Sequence, residues 1–262
     1  GECYGFEALL RDWDSVGFSS ISHLFDRAEA DGLILDISTL LFRRAVRAFQ
    51  EMISEASAVR ESDWTALRLF YNLDNRVFFR PETGEHLADA IDDCGLPIEM
   101  IALEISELNE LPANAHEANQ LPALRRRGVQ IALDDFGSGF SGLQVLYQAG
   151  VDIIKLDRFF ITRIDRDNTK RIFITNLVNM AHAMGKRVVA EGVETEREYY
   201  VCRETGCDYI QGYLVSHPHT DGSKVRRRYP IIERLIEADR RSVSSSEHVL
   251  LRRVSRVSPI TV

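Results

Sequence analysis

Two adjacent aspartates, Asp134 and Asp135, close the apolar run 129–133. As plain structure such a pair is costly, because neighbouring carboxylates repel and lose solvation together. They have company. Glu7, Asn72, Glu104, Lys155, Asp157, Glu191 and Gln211 each lie in or just after another short apolar run. One acid in such a place ordinarily caps a helix or pairs with a base. Carboxylates gathered in this number on one apolar rim make a different problem, which a hard divalent cation relieves. Oxygen-only ligands favour magnesium, manganese or calcium over zinc. His23, His86, His116, His182, His217 and His219 fall in helix or loop stretches, so a zinc site is not expected. Lys155 stands inside Ile153-Ile154-Lys155-Leu156, where a buried ammonium needs an acidic neighbour or a task. Asp157 shares its face two residues on and is the expected partner. Structural pairing and catalysis both remain open for it.

The elements that would gather these residues follow from the hydropathy pattern. Apolar runs at 4–10, 67–73, 101–105, 129–133, 152–156, 187–190 and 209–214 read as strands, several of them buried on both faces. Helical spacing separates them at 37–56, 143–149 and 172–184. Gly128, Gly150, Gly185 and Gly206 stand where each helix should stop. Strand–helix alternation implies a parallel sheet with right-handed crossovers. In a parallel α/β barrel the strand ends converge on one face, where active sites lie. A closed barrel needs eight strands, and the run of seven candidates places the deficit before residue 1. A charged amphipathic helix is expected at 225–240, a linker at 242–246, and alternating apolar and basic residues at 249–262. The barrel is therefore expected to span 1–240, with 241–262 a tail or the start of another module.

Composition narrows the class. The 262 residues are 45% hydrophobic and 27% charged, which fits one large folded domain. No run is long and apolar enough to span a bilayer, and no signal segment opens the chain. The net charge of −8 argues against a nucleic-acid duplex as partner. It leaves phosphodiesters open, since metal on carboxylates presents positive charge. Cys3, Cys94, Cys202 and Cys207 lack C-x-x-C spacing and read as reduced, packed residues of a cytoplasmic protein.

Taken in order, the motifs resemble those of the EAL domains, bacterial phosphodiesterases specific for cyclic di-GMP. Glu7-Ala8-Leu9 is the naming motif, followed by Leu10-Arg11. Asn72 follows Tyr71; Glu104-Ile105-Ser106-Glu107 matches E-x-[TS]-E; residues 134–141 match D-D-F-G-[TS]-G-[YF]-S. Lys155-Leu156-Asp157-Arg158, Ala190-Glu191-Gly192-Val193-Glu194-Thr195 and Gln211-Gly212-Tyr213 complete the set, over about 5–218. The resemblance implies a (β/α)8 TIM-like barrel and hydrolysis of cyclic di-GMP to linear pGpG with one or two Mg2+ or Mn2+ ions. It implies that Glu7, Asn72, Glu104 and Asp134 hold one metal. Asp134 would bridge to a second, held also by Asp135 and Glu191. Lys155, Glu191 and Asp135 would serve catalysis, with Glu191 cast both as ligand and as general base. Arg11, Leu9, Asp157, Gln211 and Glu194 would contact substrate. Glu107 would anchor the loop of Gly137, Ser138 and Gly139. A homodimer is implied, as are sensor or GGDEF domains outside this chain, in a bacterial cytoplasmic setting that includes membrane-attached proteins. Two departures stand out. The family's opening strand with Gln-Pro-[IL] is missing, and Asp12-Trp13-Asp14-Ser15 replaces the usual Trp and His-Pro after the arginine.

Two other readings compete. A catalytically silent receptor would bind the dinucleotide without turning it over, though every expected ligand position is filled here. A barrel enzyme that stabilises an enolate would also use a strand lysine and carboxylates on magnesium. Asn72 and the Asp134-Asp135 pair suit that chemistry less well.

Overall fold

The computed structural model describes residues 2–11, 13–59, 66–78, 80–107, 121–139, 146, 150–219, 225–245 and 258–261. Among these, eight parallel strands close a barrel in chain order. They are β1 (Gly5–Ala8), β2 (Arg68–Asn72), β3 (Ile101–Ser106), β4 (Gln130–Phe136), β5 (Ile153–Leu156), β6 (Arg187–Ala190), β7 (Tyr209–Ile210) and β8 (Ser258–Thr261). The helices are α1 (Ile21–Ala30), α2 (Ile34–Val59), α3 (Asn75–Phe78), α4 (Pro81–Asp93), α5 (Leu121–Arg127), α6 (Arg158–Ile161), α7 (Asn168–Ala183), α8 (Glu196–Glu204) and α9 (Pro230–Ser245). The expected class, a TIM-like α/β barrel, is the one observed.

Closure comes from an unexpected place. The slot between β7 and β1 is filled by Ser258–Thr261, which pairs with Tyr209 and Ile210 on one side and Gly5 and Phe6 on the other. The boundary expected between 240 and 241 falls inside α9. Residues of the expected tail thus stand in the sheet, because extended backbone there satisfies two strand edges that would otherwise lie open. The helix expected at 225–240 starts five residues later, at Pro230. Proline has no amide hydrogen to give to a helix interior and is suited to its first turn. Of the helix expected at 143–149, only Leu146 falls within the described residues, where it is helical and buried. The glycines expected to stop helices, Gly128, Gly150, Gly185 and Gly206, all have positive φ.

Strand alternation sorts the side chains into two cores. Leu69, Tyr71, Leu103, Ile105, Ile131, Leu133, Ile154, Leu156, Val188 and Ala190 pack outward into the core shared with the helices. Tyr71, for example, meets the ring of Phe42 edge-on at 5.2 Å, and its hydroxyl donates to Ser38 O on α2. The opposite parity forms a separate cluster of Phe70, Ala102, Ala132, Ile153, Val189 and Tyr209, with Tyr4 against it. That cluster fills the barrel. Its Tyr209 stacks on Tyr4 at 4.1 Å, with the Arg68 and Arg187 guanidiniums over the Tyr4 ring. Two residues further along each strand, on the same inner face, come Asn72, Glu104, Asp134, Lys155, Glu191 and Gln211. Register sets Asn72 level with Glu104, while Asp134 pairs with Ser106, two residues beyond Glu104.

Candidate metal-binding active site

Lys155 is the hub. Its side chain is 1% exposed, and its ammonium lies 2.6 Å from Glu104, 2.9 Å from Asp134, 2.9 Å from Glu191 and 3.3 Å from Glu7. Strands β1, β3, β4 and β6 thus deliver one carboxylate each to a cation on β5. Asp157, the partner expected from spacing, is not among them. The strand ends at Leu156, so parity no longer governs Asp157, which turns to cap α6 by accepting from the Phe159 amide at 2.7 Å.

Two amides fix Glu7. Asn72 Nδ2 donates to Oε1 at 2.9 Å and Gln211 Nε2 to Oε2 at 2.7 Å. Burial would raise the Glu7 carboxyl, but the Lys155 charge and these two hydrogen bonds outweigh it and hold the group below its ordinary value. Glu104 is in the reverse position. Burial, and then the negative charges of Glu7 and Asp134, push it well above the ordinary range against the pull of Lys155. Burial lifts Glu191 to about 8, with the Asp134 and Glu7 charges adding to it and Lys155 opposing. Asp135 is raised to about 6, by burial first and then by repulsion from Asp134 and Asp157.

Asp134 and Asp135 would point to opposite faces of a regular strand. Here the register shifts between Leu133 and Phe136, and Asp135 adopts φ 53°, a left-handed conformation rare for a non-glycine residue. The bulge turns both carboxylates inward. The carboxylates then form two groups of three that share Asp134: Glu7, Glu104 and Asp134, and Asp134, Asp135 and Glu191. In each, the candidate ligand oxygens lie within 4.8 Å of one another.

The donor set fits hard divalent cations. Both Glu104 oxygens, Asp134 Oδ1 and Gln211 Oε1 are buried without an aligned hydrogen-bond partner. Lys155 meets Glu104 as an ion pair at 2.6 Å. Five carboxylates facing one ammonium leave four formal negative charges unbalanced, the charge of two divalent cations.

The remaining expected residues sit around this centre. Glu107, 3% exposed, accepts from the Gly137 amide and so holds the start of the glycine loop, whose described part ends at Gly139. Gly137, at φ 96°, packs against Phe160. Ser138 follows, its amide donating to Asp135 O at 3.1 Å. Leu9 and Arg11 are exposed beyond β1, and Arg11 donates to Leu10 O at 3.1 Å. Glu194 pairs with Arg158 at 2.8 Å. Sequence reading passed over Glu198, a buried carboxylate that accepts from three backbone amides. Its signal was legible as the Thr195-x-x-Glu198 capping box at the start of α8. No histidine belongs to either carboxylate group.

The chain is similar to proteins of known sequence and structure. The cyclic di-GMP phosphodiesterase NbdA of Pseudomonas aeruginosa is 31% identical over 221 residues, 83% of this chain and 27% of its own. The oxygen sensor protein DosP of Escherichia coli is 30% identical over 219 residues, 83% of this chain and 26% of its own. The chain therefore spans little more than a quarter of either relative. The solved PaMucR phosphodiesterase in complex with c-di-GMP superposes with a TM-score of 0.68 at 27% identity, covering 83% of this chain and 86% of that one. Klebsiella pneumoniae BlrP1, in a complex with manganese and cyclic di-GMP, gives 0.66 at 27% identity over 82% of this chain and 52% of that one. The family model for the EAL domain matches residues 1–218, and the chain belongs to the EAL domain family.

Proposed function

We propose that this chain hydrolyses cyclic di-GMP to linear pGpG, using Mg2+ or Mn2+ held at the barrel rim. The observation that carries this is the pair of carboxylate groups sharing Asp134 around Lys155. Glu7, Asn72, Glu104 and Asp134 would hold one ion, and Asp134, Asp135 and Glu191 a second. Bound there, the ions would supply a water acidic enough to lose its proton near neutral pH, and positive charge for the phosphodiester oxygens.

The chain's own residues do the rest. Asn72 and Gln211 hold both Glu7 oxygens in one orientation, so that ligand is set before any ion arrives. Lys155 keeps a fixed cation at the centre of the pocket, where it can orient the attacking water and offset charge that develops on the phosphate. Glu191 is the residue assigned to take a proton from that water and return it. Asp135 would help to hold the second ion from the bulge. Arg11, Leu9, Asp157, Gln211 and Glu194 are assigned to the substrate, with Arg11 reaching a phosphate from its exposed position. A homodimer in the bacterial cytoplasm belongs to the same proposal. It is supported by exposed Phe159, Ile172 and Phe173, of which Phe173 stacks on Phe160 beside the glycine loop.

Incubation with cyclic di-GMP and Mg2+ or Mn2+, followed by chromatography, should yield pGpG, and Glu7→Ala should abolish it. Tight binding of cyclic di-GMP by metal-replete protein without turnover would select the silent receptor instead.

A further inference from the structure

Glu198 has more partners than a helix cap requires. It is 6% exposed. Its Oε2 accepts from the amides of Glu194 at 3.1 Å and Thr195 at 3.0 Å, and its Oε1 accepts from the amide of Arg163 at 2.8 Å. A capping box accounts for the Thr195 contact and for the Glu198 amide on Thr195 Oγ1. The contacts to Glu194 and Arg163 are additional. Arg163 has φ 58° and lies on the segment that leaves β5, the strand of Lys155. Glu194 and Thr195 lie on the segment that leaves β6, the strand before Glu191. One buried carboxylate therefore joins the two segments.

The connection from Glu198 to Glu191 is short and has little slack. The Glu191 amide donates to Leu156 O at 3.2 Å. Gly192 takes φ 66°, a turn that brings its Cα against the Arg158 side chain. Val193 donates to Gln211 O and accepts from the Leu214 amide, both at 3.0 Å, and is fully buried. Gly212 presses on it so closely that a Cβ there would lie 2.3 Å from Val193 O. Glu194 and Thr195 then reach Glu198. Glu191 thus stands at one end of a strap whose other end is Glu198.

We propose that Glu198 is a positioning residue for Glu191, and through it for the Asp134–Asp135–Glu191 group but not for the Glu7–Glu104–Asp134 group. The inference rests on the two-ion reading of the site. Glu7, Glu104 and Asp134 stand on β1, β3 and β4, none of which Glu198 contacts through these hydrogen bonds. Loss of Glu198 should therefore act on one ion and spare the other. A cap that merely stabilised α8 would have no such preference.

The test is Mn2+ binding to the full chain without substrate, followed by the free-ion electron paramagnetic resonance signal and by calorimetry. Thermal unfolding of Glu198→Ala and Glu198→Gln is measured alongside. Wild type should bind two ions. Glu198→Ala should keep one close to wild-type affinity and weaken the other by about 10–100-fold, the usual cost of losing a supporting partner. Glu198→Gln, with a single acceptor oxygen, should fall between and decides the matter if the alanine variant fails to fold. Turnover of cyclic di-GMP should fall in kcat with little change in KM, and excess Mn2+ should restore part of it. Equal weakening of both ions, or of neither, would overturn the proposal. Wild type that binds no Mn2+ would overturn the two-ion reading together with it.

Discussion

Replacing Lys155 by methionine tests the electrostatic account of the pocket most directly. Methionine fills nearly the same volume, so the change removes a charge and leaves packing close to intact. Four carboxylates lie 2.6–3.3 Å from the ammonium, whose side chain is 1% exposed. At an effective dielectric of about 20, each contact at that range is worth roughly 6 kcal/mol before desolvation. Desolvation of the ammonium cancels most of the sum, and removing one partner of a buried ion cluster costs about 3–5 kcal/mol net. In EDTA at pH 8, the urea midpoint of Lys155→Met should therefore fall by about 1–2 M relative to wild type. Two conditions should relieve the deficit. At pH 6, Glu191, whose folded value is about 8, carries a proton and needs no cation. Saturating Mn2+ should supply the missing positive charge and add about 3 kcal/mol at a hundredfold excess over its dissociation constant. Turnover should stay lost in both. A midpoint equal to wild type, or a deficit indifferent to both pH and Mn2+, would refute the reasoning.

The remaining predictions concern pH and the loop. Glu191 and Asp135 have folded values of about 8 and about 6, above their ordinary ones, so the stability they contribute is present at low pH and is lost as pH rises through those values. Glu7 is lowered, so its contribution is present above its ordinary value and is lost on acidification through the depressed one. Metal-free protein should therefore lose stability from about pH 5 to pH 8, checked by Tm in EDTA; a Tm that climbs over this window would contradict it. Ions compete with those same protons, so the rise in Tm on adding Mn2+ should be larger at pH 8 than at pH 6. Glu107→Ala should free the Gly137 amide and lower kcat by about tenfold, while Glu107→Gln, which keeps an acceptor, should lose less. Steady-state kinetics on the two variants checks this, and equal losses would count against the anchor.

The sequence announced the strands and the chemistry better than it announced the joints. Near-continuous apolar runs such as those of β3 and β5 admit little but a buried parallel strand, and the acids at their ends were visible without coordinates. That Glu104, Asp134 and Glu191 would meet one lysine follows from parity, since each lies two residues beyond an inner-core residue, and Glu7 lies two beyond Gly5, where a Cβ would meet the inward Phe70. Parity failed where strands end or bulge. It assigned Asp157 to Lys155, although the strand stops one residue earlier and the carboxylate goes to a helix cap. It could not show how Asp134 and Asp135 face the same pocket, because that depends on one left-handed residue in a register shift. The closing strand was hidden for another reason. Four extended residues, one of them proline, carry almost no periodic signal, and only the two open edges beside them make them a strand.

The floor of the pocket explains why its charges matter so much. Beneath the polar layer lie Phe70, Ala102, Ala132, Ile153, Val189 and Tyr209, all buried, packed into one cluster. Carboxylates set on such a floor gain little solvation from the side chains below them, so it must come from the rim side or from one another. Amides from Asn72 and Gln211 meet that need for Glu7 alone. The others depend on Lys155, and it leaves the oxygens of Glu104 without an aligned donor. A barrel interior filled only for stability would place methyl groups at those positions. The fold instead holds Glu104 and Glu191 well above their ordinary proton affinities, a cost that falls when the protons give way to cations. The same burial that destabilises the metal-free pocket is what would make it bind ions tightly.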